Sequence, residues 1–70
     1  MMKENDIFTL SKSVEATVIG EQRTVMLAVG TVVSVVLVFG DPNAPDAYEV
    51  EAFLPEDGAY ALATIEAPCT

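Results

Sequence analysis

Glu49 and Glu51 stand two residues apart in the segment Ala47-Tyr48-Glu49-Val50-Glu51-Ala52-Phe53. On a strand that spacing puts both carboxylates on one face, about 7 Å apart. Two carboxylates so placed can serve a glycosidase, provided that a cleft seats a sugar between them. A chain of 70 residues leaves little room for a cleft, and the ordinary source of the pattern is the solvated face of a half-buried strand. Asp41-x-Asn43-x-x-Asp46 imitates the opening of a calcium loop, but an EF-hand starting at Asp41 needs Gly sixth and Glu twelfth. Those places hold Asp46 and Ala52. Nucleophilic catalysis needs a base beside the attacking group. The chain has no histidine, Lys12 lies in a polar stretch, and the one cysteine, Cys69, is followed only by Thr70. One cysteine without histidine makes neither an internal disulfide nor a structural zinc site. The expectation is a non-catalytic protein with no cofactor and no metal.

The elements that carry these residues form one small domain over residues 1–70, 51% hydrophobic and 20% charged. Asp6 to Leu10 reads as a short strand. Residues 11–24 are weakly patterned and polar, an irregular stretch that reads as a hairpin of its own or a long loop; Ser13 could cap a helix to Ile19, but Thr17, Val18 and Ile19 are poor helix formers. Gly30 to Phe39 is the strongest strand. It sets Thr31, Val33, Val35, Leu37 and Phe39 on one face and Val32, Ser34, Val36 and Val38 on the other. Both faces are apolar, so the strand either bends around a tiny core or meets another molecule. Residues 40–46, with two prolines, read as a loop. Ala47 to Phe53 alternates cleanly, with Tyr48, Val50 and Ala52 inward. Residues 54–58 form a turn with Gly58 in the left-handed conformation, and the alanine-rich Ala59 to Ile65 returns before Pro68. The pattern predicts an all-β fold, a strongly bent antiparallel sheet or SH3-like barrel of four to five short strands.

Charge narrows the partners. Residues 1–40 carry four acids and three bases, a balance of −1; residues 41–70 carry seven acids and no base, a balance of −7. Such a surface repels phosphate backbones and anionic lipid, and steers basic proteins towards itself. Residues 24–40 are seventeen uncharged residues, the lower limit of a membrane span. Their seven valines and mid-segment Gly30 favour strand over helix. The polar N-terminal residues lack the apolar run of a secretory signal, and Cys69-Thr70 is no prenylation box, so a cytoplasmic location is expected.

The blocks Val29-Gly30-Thr31-Val32-Val33, Ala47-Tyr48-Glu49-Val50-Glu51, Asp57-Gly58 and the returning Ala59 to Ile65 resemble, in order and spacing, the bacterial family called domain of unknown function 4926. The likeness takes in Asp6 to Leu10 and so covers most of the chain. Ala52 stands where the family has an aromatic, with Phe53 one place later, and Ala28-Val29 replaces its Gly-Asp. The resemblance implies an SH3-like barrel, with a more distant similarity to the SH3-like part of the nitrile hydratase β chain. It also implies a gene often placed beside another small protein, as in a toxin–antitoxin pair.

Together these readings predict a protein-interaction module, an acidic antitoxin, immunity or inhibitory protein for a more basic partner. Glu49, Glu51, Glu56 and Asp57 are the candidate steering charges, and Tyr48, Phe53 and Tyr60 the candidate anchors. The alternatives are a self-assembling structural domain with Val32, Val36 and Val38 as its oligomer interface, or an accessory or maturation subunit of a larger enzyme.

Overall fold

A computed structural model describes residues 2–67, which form six strands and no helix. The strands are β1 (Ile7–Thr9), β2 (Val14–Val18), β3 (Thr24–Leu27), β4 (Val32–Asp41), β5 (Ala44–Leu54) and β6 (Ala59–Glu66). They make one antiparallel sheet in the order β1-β4-β5-β6-β2-β3, curled into a half-barrel. The fold is all-β and strongly bent, as the sequence pattern predicts, with one or two more strands than the four to five expected. Cys69 and Pro68 lie outside the described residues.

The additional strands, β2 and β3, come from residues 14–27. Ala16 and Val18 are buried while Glu15 and Thr17 are exposed, so a period of two does run through the stretch. β2 pairs with β3 from Val14↔Leu27 to Thr17↔Thr24, and Gly20 takes the connecting turn at φ 83°. Residues 11–24 thus supply the first strand and the turn of a hairpin whose second strand lies almost wholly beyond them, and they hold no helix.

Residues 40–46 are also more regular than two prolines imply. Asp41 pairs with Ala44, so the turn between β4 and β5 is only Pro42-Asn43, with the Asn43 N–H donating to Asp41 Oδ1 at 2.9 Å. Proline fixes φ near −65° and so excludes the positive-φ turns whose twist matches a two-residue hairpin. A register shift between Phe39 and Gly40, with Gly40 at φ 87°, takes up the mismatch. Pro45 is tolerated opposite that irregularity.

The core explains the curl. Leu10, Leu27, Val33, Val35, Tyr48, Val50 and Ile65 fill the concave side, and Ala16, Ala52, Ala61 and Ala63 keep it shallow enough for the strands to wrap. β4 bears both apolar faces because it changes phase. A second register shift lies between Val35, opposite Val50, and Leu37, opposite Glu49, leaving Val36 as the extra residue of a bulge. Val33 and Val35 point inward before the bulge. Beyond it Val38, opposite Tyr48, packs against the core, and Leu37 and Phe39 turn outward. The face expected to hold Val32, Val36 and Val38 together therefore does not exist. Val32 lies exposed on the outer face, Val36 sits at the bulge, and Val38 belongs to the core's margin.

Among the described residues no helix is long and apolar enough to cross a membrane; residues 24–40 are β3, a turn and most of β4.

Candidate interaction surface

The convex face of the sheet collects the side chains that alternation turns away from the core. At one end Phe53 and Tyr60 are cross-strand neighbours on β5 and β6, with ring centroids 5.1 Å apart and planes inclined at 56°. That tilted contact is a favourable aromatic geometry, yet the rings remain 51% and 47% exposed. Ile19 lies alongside, its N–H donating to the Tyr60 carbonyl at 2.8 Å, and Val32 faces the same way from β4. Exposed apolar residues scattered singly are ordinary; a paired aromatic step with aliphatic neighbours is what a docking partner buries.

The next rows are polar and acidic. Glu51 stands between Ser34 on β4 and Leu62 on β6, and Glu49 between Leu37 and Thr64. Both are half-buried at their stems, as their place in mid-sheet requires. Glu66, opposite Ala47, and Glu15, on β2, extend the acidic character along the same face. A shallow groove lined by Glu15, Thr17, Leu62, Thr64 and Glu49 crosses β2, β6 and β5. Alternation gives this face no Lys or Arg from the described strands: Lys3 precedes β1, and Lys12 and Arg23 lie in the β1–β2 and β2–β3 connections.

The remaining candidates fall elsewhere. Tyr48 is only 3% exposed and faces the core, where its hydroxyl accepts a long 3.4 Å hydrogen bond from the Met2 N–H. It is a packing residue, and its predicted role as a partner anchor is not compatible with that burial. Glu56 and Asp57 occupy the loop joining β5 to β6, which closes with the Gly58 N–H donating to the Leu54 carbonyl at 2.9 Å. Asp57 is engaged: Arg23 reaches from the β2–β3 turn to Asp57 Oδ2 at 3.0 Å and to Glu21 Oε1 at 3.1 Å. Hydrogen bonds to Asp57 and then Glu21, with their charges, hold the Arg23 pKa above its ordinary value. Of the steering charges named from sequence, Asp57 is paired, whereas Glu49, Glu51 and Glu56 form no ion pair among the described residues.

Sequence reasoning missed Ile19, Leu37 and Phe39 as outward-facing residues. Ile19 was legible, since it follows a buried Val18 just before a glycine turn. The other two depend on the Val36 bulge, for which the uniformly aliphatic run Val35-Val36-Leu37-Val38 carries no signal. Among the described residues no group of three or more His, Cys, Asp or Glu is placed to hold a metal ion. Compared with protein-family models, with curated proteins and with solved structures, the chain shows no match.

Proposed function

We propose that this protein is a non-catalytic interaction module whose convex sheet face docks a more basic protein, in the manner of an antitoxin, immunity or inhibitory protein. The observation that carries the reading is the pairing on one face of an exposed Phe53–Tyr60 step with the carboxylates of Glu49 and Glu51. The aromatic rings supply the apolar area that dominates interface affinity, while acids around them raise the encounter rate and reject acidic competitors. Membership of the domain of unknown function 4926 family and a cytoplasmic location are part of the same proposal, and the acidic surface fits neither nucleic acid nor anionic lipid as the direct ligand.

The test is capture of tagged protein from the cells that make it, at low salt, with mass spectrometry of what is retained. Wild type retains a stoichiometric basic protein, and Phe53→Ser loses it while keeping the sheet's circular dichroism. Equal retention by Phe53→Ser and by a Glu49→Lys/Glu51→Lys variant would remove the convex face from the account.

A further inference from the structure

The sheet ends in two short edges, β1 of three residues and β3 of four, and short edges are the usual protection against stray strand pairing. β4 is different. β1 covers it only from Val32 to Ser34, and the last backbone bonds on that side are Asn5 N–H to the Val35 carbonyl and Val35 N–H to the Asp6 carbonyl, both 2.8 Å. Beyond Val35 no described strand pairs with β4 on the side away from β5. Val36 to Gly40 thus forms a lateral edge with no charge, proline or lysine in it, and with Leu37 and Phe39 exposed on its convex side. Left bare, such an edge is a template for another strand.

Two occupants fit a bare edge, a second copy of this chain or an extended segment of another protein. The charges at its ends decide between them. Glu4 and Asp6 lie in the turn where β1 begins, with Lys3 as the one base, while Asp41 closes the far end and Asp46 follows across the hairpin. Antiparallel pairing of two copies about Val38 brings Asp41 of each beside the Glu4–Asp6 turn of the other. Like charges at both ends of the seam oppose that dimer. The same acids favour a strand that is apolar in the middle and basic at its ends.

We infer that the free edge of β4 from Val36 to Asp41 accepts an extended segment of the basic partner as a seventh strand. Its apolar residues stack beside Leu37 and Phe39, and its flanking Lys or Arg residues meet Asp41 at one end and Glu4 and Asp6 at the other. Main-chain hydrogen bonds supply the attachment and alternate side chains the selectivity, the usual division in strand addition. The inference rests on the basic-partner reading and adds to it a mode and a place.

The probe is a synthetic peptide, acetyl-Lys-Val-Thr-Val-Thr-Val-Lys-amide, titrated into the isotope-labelled protein and followed by amide NMR. The expected result is shifted and exchange-protected amides between Val36 and Asp41, weakening as salt rises. The same peptide N-methylated at every residue between its terminal lysines, which leaves neither edge able to donate to the ladder, fails to bind. Leu37→Lys/Phe39→Lys, both outward-facing and so compatible with folding, lowers peptide affinity about tenfold or more. Unperturbed β4 amides at saturating peptide, or equal binding by the N-methylated peptide, overturns the inference. Native capture separates it from the broader reading. A basic partner lost with Phe53→Ser but retained by Leu37→Lys/Phe39→Lys leaves the convex face standing and removes the edge.

Discussion

Gly40→Ala tests the irregular end of the β4–β5 hairpin, where the register shifts between Phe39 and Gly40. Gly40 sits at φ 87°, and a Cβ built there would lie 2.6 Å from Asp46 Oδ2, 3.0 Å from its Cγ and 3.1 Å from its backbone nitrogen. The left-handed backbone costs a residue with a Cβ about 1–2 kcal/mol. The carboxylate can swing aside at little cost, whereas the Asp46 nitrogen belongs to β5 and cannot move without shifting the pairing of Gly40 with Pro45. Crowding of that kind adds about 1 kcal/mol, for a total loss of about 2–3 kcal/mol. In a domain this small each kcal/mol is worth about 4–8 °C of Tm. Thermal unfolding followed by circular dichroism should therefore show Gly40→Ala melting at least about 8 °C below wild type. Adding Asp46→Ala removes the side-chain overlap alone and recovers only a minor part. An unchanged Tm for Gly40→Ala, or full recovery in the double variant, would refute both the strained backbone and the role assigned to Gly40 in the register shift beside it.

Val50→Ala, at a site with 0% exposure, costs about 2–3 kcal/mol in urea unfolding, while Val32→Ala at 61% exposure stays within about 0.5 kcal/mol. Tyr48→Phe leaves partner capture at the wild-type level and lowers stability by no more than about 1 kcal/mol, because it removes only the long bond from the Met2 N–H. Arg23→Gln barely moves the Tm at physiological salt, since the groups involved are exposed, but it frees Asp57 and raises the low-salt association rate with the captured partner.

Much of this molecule is legible in its sequence where one face is apolar and the other charged. The Tyr48-Glu49-Val50-Glu51-Ala52 alternation sets the faces of β5, and its regular pairing with β6 runs from Ala47↔Glu66 to Leu54↔Ala59. Within that regular pairing Ala52 faces the core and Phe53 the outside. The legible part stops where both parities are apolar. Val35 and Val36 are chemically identical, so nothing in the residue types says which of them the bulge leaves over, and every face assignment downstream of it depends on that choice. Prolines mislead in a related way: Pro42 belongs to the turn, but Pro45 stands within β5 where the ladder is already irregular. The acidic half of the chain is visible in the sequence as a sum, and the sheet shows that its members divide. Glu49 and Glu51 share the convex face with Phe53, whereas Asp57 is held by Arg23.

The central claim is that the acids and the aromatic step of one face act together on a basic protein. Its most direct test is capture of tagged wild type and Glu49→Lys/Glu51→Lys from native cells across a salt series, with the retained protein quantified by mass spectrometry. The account predicts one stoichiometric basic protein, released progressively as salt rises and absent from the charge-reversed variant even at low salt. A complex retained equally at every salt concentration and by both forms would contradict it.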